Sequence, residues 1–419
     1  MRIYITFIFV SAFFFSSPNI NAQSSADTIQ ARKYQAIGDK YYNEELLDSS
    51  TCYYQKAANV YKVIAEARGD TVLWGEYLTC LCNISRNSSF LFKLDNSKQT
   101  LDTALTISLK LFGKDHRLTA LIYGGYGQLY KKIPDFDLSQ KYLIKQLEIY
   151  KKIFNGSSDS LAIVYKDIGE VFFEKGVFNK ALEYYLKSIA IYKNNPGQNS
   201  RGLADTYYFI AQVYKRESEY DKSLEYLFTS LSISKELIGE NNIDVASCYC
   251  EIGHVYLDKY EYDKGLEYYF KSLGISLGFV NGSTVNIATM YGNIGVAYIY
   301  QGDYDKASEY ILKCMKITKE FLGEKHLKVG YSYTYLGLLN MKKKNFPLAL
   351  DYYFKNLEIK LPILGEKNPQ IVAAYFDIAK AYQNLFENNK AVLYYQKVIA
   401  SCLQNFNDTV NLCLSLIHI

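Results

Sequence analysis

A repeat of 42 residues runs through most of this 419-residue chain and limits what it can fold into. A small residue recurs at this interval, at Gly127, Gly169, Ala211, Gly253, Gly295, Gly337 and Ala379. A tyrosine stands four residues before each of them, at Tyr123, Tyr165, Tyr207, Tyr249, Tyr291, Tyr333 and Tyr375. Large aromatic residues that alternate with small ones let two helices approach closely without voids. The pattern predicts one packing motif repeated along the chain.

Each repeat has the pattern of two helices. In LAIVYKDIGEVFFEKG, Tyr165, Ile168, Gly169 and Phe172 fall on the i, i+3, i+4, i+7 stripe of an amphipathic helix. The segment NKALEYYLKSIAIYK, which follows, has a second stripe of the same kind. One helix pair cannot bury its apolar face alone, whereas stacked pairs can. A fixed period of this length therefore indicates a solenoid.

Two divergent units precede the regular ones, around Ser85 and, 47 residues earlier, around Gly38, which gives nine units in all. A glycine or asparagine stands between units at a constant position: Gly113, Asn155, Gly197, Gly239, Asn281, Gly323 and Gly365. Both residue types tolerate the left-handed conformation that commonly ends a helix. We therefore expect a helix C-cap at each of these positions.

The pattern of tyrosine and small residues resembles the tetratricopeptide repeat, whose usual period is 34 residues. The longer unit, with linkers such as LFGKDH, LIGENN, FLGEKH and LGEKNP, resembles the kinesin-light-chain subclass in an exported bacterial form. The resemblance covers roughly Arg32 to Leu403. It implies an all-α fold, a right-handed superhelical solenoid of antiparallel helix pairs. The first two units depart most from this pattern; in the second, Ser85 stands in place of glycine and Leu81 in place of tyrosine.

The N-terminus, MRIYITFIFVSAFFFSSPNINAQSS, has the layout of a secretory signal peptide. Arg2 precedes the apolar stretch Ile3 to Phe15, and the small residue Ala22 precedes Gln23. The apolar run is shorter than the roughly 20 residues of a membrane-spanning helix. We expect residues 1–22 to be removed and the rest to be exported, to the periplasm or beyond, without insertion into a membrane.

The remaining chain divides into a divergent first helix pair at residues 23–67 and the repeat array at 68–405. Asn407 lies 42 residues after Gly365, so residues 406–413 have the pattern of a truncated further repeat. The last six residues, LSLIHI at 414–419, are also the translation of a transposon end used as a sequencing adapter. We hypothesise that these six residues are adapter read-through and that the natural protein continues.

Composition and motifs argue against catalysis and nucleic-acid binding. Lys plus Arg number 47 against 43 Asp plus Glu, without a basic patch. There is no nucleophile elbow, H-E-x-x-H motif or phosphate loop. His116 and His326 occupy matching linkers, which predicts helix capping. The pairs Cys80/Cys82 and Cys248/Cys250 would face different sides of a helix and cannot easily form a disulfide. We predict no catalytic residue, cofactor or metal site.

What remains is a groove for a protein or peptide. In tetratricopeptide arrays the first helix of each unit lines the concave face. By this resemblance the groove candidates are Lys166, Glu170, Tyr208, Gln212, His254, Asn293 and Lys380. A mixed polar and aromatic lining suits an extended peptide.

Three hypotheses about function stay open at this point. The array is an exported binding scaffold; or it is the interaction region of a truncated CHAT-type, caspase-like peptidase; or it precedes a membrane helix and a histidine kinase or transcriptional regulator. All three predict binding without catalysis for the residues present.

Overall fold

The computed structural model describes residues 17–43, 46–154, 158–194, 200–278, 284–366 and 368–403. Residues 1–16 of the expected signal peptide and the predicted tail at 406–419 lie outside these ranges. The regular structure described is entirely helical. The eighteen helices are α1 (Ser17–Asn43), α2 (Leu47–Arg68), α3 (Thr71–Phe90), α4 (Leu94–Leu111), α5 (Arg117–Lys132), α6 (Phe136–Ile153), α7 (Asp159–Glu174), α8 (Phe178–Asn194), α9 (Ser200–Arg216), α10 (Tyr220–Ile238), α11 (Ile243–Asp258), α12 (Tyr262–Gly278), α13 (Thr284–Gln301), α14 (Tyr304–Leu322), α15 (Leu327–Lys342), α16 (Phe346–Leu364), α17 (Pro369–Asn384) and α18 (Asn388–Leu403).

These helices form nine successive pairs, α1/α2 to α17/α18, in which the two members pack against each other. The second helix of a pair also packs on the first helix of the next pair within each of two compact units. The first unit is Met1–Asn155 and contains α1 to α6; the second is Gly156–Ile419 and contains α7 to α18. The predicted all-α fold class, built of stacked helix pairs, is confirmed.

The recurring small residues lie where the two helices of a pair come closest. A Cβ atom on Gly169 would lie 2.5 Å from Cε1 of Tyr185, and one on Gly253 would lie 2.6 Å from the same atom of Tyr269. Both tyrosine rings are fully buried. The small residue therefore forms a notch that receives the side chain 16 positions later in the chain.

The recurring tyrosines pack against a second set of tyrosines, 19 residues later, that the sequence analysis did not single out. In every regular unit the two ring centroids are 5.9 to 6.1 Å apart. The pairs are Tyr123–Tyr142, Tyr165–Tyr184, Tyr207–Tyr226, Tyr249–Tyr268, Tyr291–Tyr310, Tyr333–Tyr352 and Tyr375–Tyr394. These aromatic contacts join the first helix of each pair to the second.

The linkers between pairs combine a glycine with a side-chain cap. Gly239, Gly323 and Gly365 have φ of 75 to 82°, but their ψ of 160 to 170° differs from the left-handed helical cap that we predicted. Such a conformation is essentially restricted to glycine. The expected caps at Asn155, Gly197 and Asn281 lie outside the described residues. His116 and His326 cap the next helix as predicted, each accepting a backbone N–H at Nδ1, at 3.2 and 3.1 Å.

The turn inside each pair places one residue in the left-handed region whether or not it is glycine. Gly176 has φ of 71°, while Ser218, Tyr260, Lys344 and Phe386, at the same position in other units, have φ of 59 to 62°. A residue with a Cβ atom is strained there. The turn geometry is therefore imposed by the packing of the two helices.

Candidate functional site

The candidate site lies on the first helices of the second unit. First helices of successive pairs contact each other directly, as α7 does with α9 and α13 with α15. We call the surface formed by α7, α9, α11, α13, α15 and α17 the first-helix face. All seven groove candidates from the sequence lie on these helices.

Lys166 and Glu170 form a half-buried ion pair at the start of this face. Lys166 Nζ lies 3.1 Å from Glu170 Oε1 and 5.0 Å from the ring centroid of Phe209 on α9. Burial by itself would lower the pKa of Lys166, but the carboxylates of Asp167, Glu170 and Asp205 reverse this effect and raise it. The ammonium therefore stays charged among three carboxylates.

Tyr208, Gln212 and His254 converge on one carboxylate, Glu251 of α11. The Nδ1 atom of His254 lies 3.2 Å from Glu251 Oε1, and the ammonium of Lys215 lies 3.3 Å from Oε2. Tyr208 and Gln212 also lie close enough to this carboxylate to interact with it. Only 16% of the Glu251 side chain is exposed. Burial acts to raise the pKa of Glu251, but the contacts with His254, Lys215 and Gln212 outweigh it and hold the pKa below its usual range.

Asn293 continues the polar surface onto α13. Its amide Nδ2 donates to Sγ of Cys250, at 3.4 Å. The ring of Tyr335 on α15 lies close to this point, since a Cβ atom on Gly292 would be 2.7 Å from Cε2 of Tyr335. Six of the seven candidates thus lie along α7, α9, α11 and α13.

The seventh candidate, Lys380, lies apart from them on α17. Its ammonium is 4.9 Å from the ring centroid of Phe376, and its charge acts on the neighbouring carboxylate of Asp377. Burial raises the pKa of Asp377 to about 6, although the positive charges of Lys380 and Lys360 act to lower it.

Sequence reasoning missed Glu251, which the structure places at the centre of the site. This residue stands two positions before the small residue of its unit. Asp167, Asn293 and Asp377 occupy the same position in theirs, and each belongs to one of the clusters described above. The 42-residue register could have revealed this row of polar side chains. The register does not show that Lys215 of the preceding pair would reach Glu251.

The site lacks the arrangement that a nucleophile needs. Cys250 and His254 lie four residues apart on α11, but burial raises the pKa of the Cys250 thiol to about 12, so the thiol stays protonated. The cysteines whose side chains the structure describes are free thiols: Cys52, Cys80, Cys82, Cys248, Cys250 and Cys314. In the same ranges no group of three His, Cys, Asp or Glu side chains could hold a metal ion. None of the helices described is long and apolar enough to span a membrane.

Comparison with protein families identifies the repeated unit. Family profiles described as tetratricopeptide repeat match residues 134–194, 286–353 and 372–405. A search of curated protein sequences finds no match.

Solved structures share the fold at low sequence identity. A Rap protein complexed with competence and sporulation factor is 15% identical, with a TM-score of 0.60 over 90% of this chain and 99% of that one. The apo form of the quorum sensor NprR from B. thuringiensis is 17% identical, with a TM-score of 0.56 over 87% and 98%. Identities this low show the fold alone.

Proposed function

We propose that this chain, which is built of tetratricopeptide repeats, is a non-catalytic scaffold that binds a protein or peptide on the first-helix face. The observation that supports this most is the convergence of Tyr208, Gln212, Lys215 and His254 on Glu251. Ordering five polar side chains in a half-buried place costs free energy that apolar packing would not. Such a cost is expected where side chains are preorganised to bind a partner.

The lining favours an extended peptide segment with a positive charge toward α7 to α11. Carboxylates outnumber cations on this part of the face. Helices α7, α9 and α11 carry eight carboxylates, Asp159, Asp167, Glu170, Glu174, Asp205, Asp244, Glu251 and Asp258, against four cations, Lys166, Arg201, Lys215 and Arg216. Side-chain amides and tyrosines between them can bond the peptide backbone and pack against its side chains.

Selection from a peptide library tests this proposal. Peptides of twelve residues displayed on phage are selected on the immobilised protein and then measured individually by calorimetry. We expect Glu251→Gln to weaken binding about tenfold, because it removes one charge from a partly desolvated contact. Glu267→Gln is the matched control, because Glu267 forms an exposed ion pair with Lys271 on α12 at 2.6 Å. Equal affinities for the two variants would exclude Glu251 from the binding site.

Export is proposed from the sequence layout of residues 1–22. The basic, apolar and small-residue segments follow the order of a secretory signal peptide. Expression of the chain with its N-terminus intact, followed by mass spectrometry, measures the result. We expect a mature N-terminus at Gln23 in the exported fraction, whereas recovery of only the full-length chain inside the cell would contradict export.

The alternative proposal is that the array is the interaction region of a larger protein, either a CHAT-type peptidase or a membrane-bound histidine kinase or regulator. It is supported by the pattern at residues 406–413, which matches the start of a further repeat. Sequencing the source DNA across the codon for Cys413 tests it. We expect the open reading frame to continue after Cys413 with a sequence other than LSLIHI, and LSLIHI followed by a stop codon would contradict this proposal.

A further inference from the structure

The first-helix face changes its chemistry at α13. One position after the small residue of each unit, α7, α9 and α11 carry the polar residues Glu170, Gln212 and His254. At the same position α13 and α15 carry Val296 and Leu338, and both side chains are partly exposed. The surface that is polar on the first three of these helices is therefore apolar on the next two.

The balance of charge reverses along the same direction. Carboxylates outnumber cations by eight to four on α7, α9 and α11. By contrast, α13, α15 and α17 carry one carboxylate and three cations: Asp377, Lys328, Lys342 and Lys380. The ammonium of Lys342 lies 5.5 Å from the ring centroid of Tyr300, and that of Lys380 lies 4.9 Å from the ring centroid of Phe376. A basic residue of a partner is thus attracted to α7, α9 and α11 and repelled by the cations beyond them.

Tyr300 lies where the acidic and apolar parts of the face meet. It is 46% exposed at the end of α13. Burial raises the pKa of its hydroxyl, and the charges of Asp258 on α11 and Asp377 on α17 add to this effect. Asp258 stands two turns after Glu251, and 45% of its side chain is exposed. An exposed carboxylate and an exposed aromatic ring are therefore neighbours on this face.

A glycine joins the two parts into one surface. A Cβ atom on Gly292 would lie 2.7 Å from Cε2 of Tyr335, so the tyrosine ring of α15 lies against the backbone of α13. Asn293, beside this glycine, donates to Sγ of Cys250 on α11 at 3.4 Å. Side chains of α11, α13 and α15 are thus in contact in sequence, without a gap between the acidic and the apolar part.

We propose that the apolar part, formed by Val296, Tyr300 and Leu338, binds a large apolar side chain of the same peptide segment whose basic residue lies on the carboxylates of α11. The inference rests on the proposed function. Charge complementarity decides the arrangement, because the basic residue fits only the acidic part and the uncharged residue is left for the apolar part. The partner is therefore an extended segment with one basic and one apolar anchor, such as lysine and phenylalanine, at a fixed separation.

The spacing of the helices gives this separation. Two helix spacings separate α11 from α15, which is about 16–20 Å at the usual distance between packed helices. An extended peptide advances about 3.3–3.6 Å per residue, so the two anchors should be about four to six residues apart. Successive side chains of an extended chain point to opposite sides, and even separations of four or six place both anchors on the face.

Pools of dodecapeptides with both ends capped test the separation on the full chain. Each pool has one lysine and one phenylalanine that are one, four, six or ten positions apart, in either order, with alanine, serine, threonine and glutamine elsewhere. A further pool has the lysine without the phenylalanine. We expect the immobilised protein to retain a pool with a separation of four or six, in one of the two orders, at least fivefold better than the others, because burial of the ring removes apolar surface from water.

A double variant removes the apolar part without changing the charge. Val296→Gln combined with Leu338→Gln introduces at both places the residue that α9 has there, Gln212, and should abolish the preference for a separation of four or six. Phe270→Gln combined with Leu312→Gln is the matched control. These residues are 39% and 51% exposed on α12 and α14, and α18 has glutamine at the same position of its unit. The control should keep the preference.

The outcomes separate this inference from the proposed function. Equal retention at all separations, a maximum at one or ten, or an unchanged preference in the double variant overturns the apolar anchor while the binding function stands. Retention of no pool by the wild-type protein contradicts both. Circular dichroism melts verify that each variant is folded. If the double variant is unfolded, the exposed substitution Tyr300→Ser replaces it and should lower the preference at least threefold, and an unchanged preference overturns the inference.

Discussion

The notch at Gly253 gives the sharpest test of how the helix pairs are held together. A Cβ atom there would lie 2.6 and 2.7 Å from Cε1 and Cδ1 of Tyr269 and 3.1 Å from the carbonyl oxygen of Gly265. The Tyr269 ring is fully buried, so it cannot move aside without displacing α12. We therefore expect Gly253→Ala to separate α11 from α12.

The expected magnitude follows from two opposing effects. Overpacking a core by one methyl group costs about 1–3 kcal/mol, whereas replacing glycine by alanine inside a helix gains about 1 kcal/mol. The variant should lose up to about 2 kcal/mol of unfolding free energy, measured by urea denaturation. Hydrogen exchange should show the loss in α11 and α12 first, because repeat arrays can unfold locally.

A matched control and a rescue complete this test. Gly274 is an exposed residue of α12 with no atom near the place of a Cβ, so Gly274→Ala should stabilise by about 1 kcal/mol. Adding Tyr269→Leu to Gly253→Ala recreates the Ala211 and Leu227 combination of α9 and α10 and should restore much of the loss. Stabilisation by Gly253→Ala equal to that of the control would refute the close packing.

Three further predictions concern strain and charge. Lys344→Gly should raise the unfolding free energy by about 0.5–1 kcal/mol in urea denaturation, because relief of the strained φ of 61° outweighs the additional conformational entropy that glycine loses on folding. Unchanged stability would contradict the strain at Lys344. The pKa of Glu251 is lowered in the folded state, so its carboxylate stabilises the fold above the ordinary glutamate pKa and loses this contribution as pH falls. Between pH 6 and 3, Glu251→Gln should therefore lose less unfolding free energy than the wild-type protein. Equal losses would contradict the lowered pKa. Burial lowers the pKa of Lys360 to about 8, so the charged side chain destabilises the fold at pH 7. Lys360→Thr should therefore raise the melting temperature at pH 7, and this gain should disappear above the ordinary lysine pKa. A lower melting temperature would show that Lys360 stabilises the fold.

The features that sequence could predict are those set by local periodicity. The helix pairs follow from the 3.6-residue stripes, and the caps at His116 and His326 follow from their matching linkers. Each depends on residues within one unit, so a single register is enough to locate it.

The features that sequence could not predict depend on contacts between units. Lys215 reaches Glu251 from 36 residues away, and Asp377 acts on Lys360 from the next pair. Such contacts depend on how helices of neighbouring pairs pack, and the periodicity of the sequence does not show this packing. The ψ of about 160–170° at the linker glycines, such as Gly239, was also not predicted.

The central claim, that a partner binds on the first-helix face, is tested most directly by photo-crosslinking. Benzoylphenylalanine replaces His254, whose side chain is 31% exposed on α11, or Phe270, a residue 39% exposed on α12. Each protein is irradiated with a peptide selected from the library, and the adduct is mapped by mass spectrometry. We expect an adduct from position 254 and none from position 270. An adduct from position 270 alone would place the partner on the second helices and would contradict binding on the first-helix face.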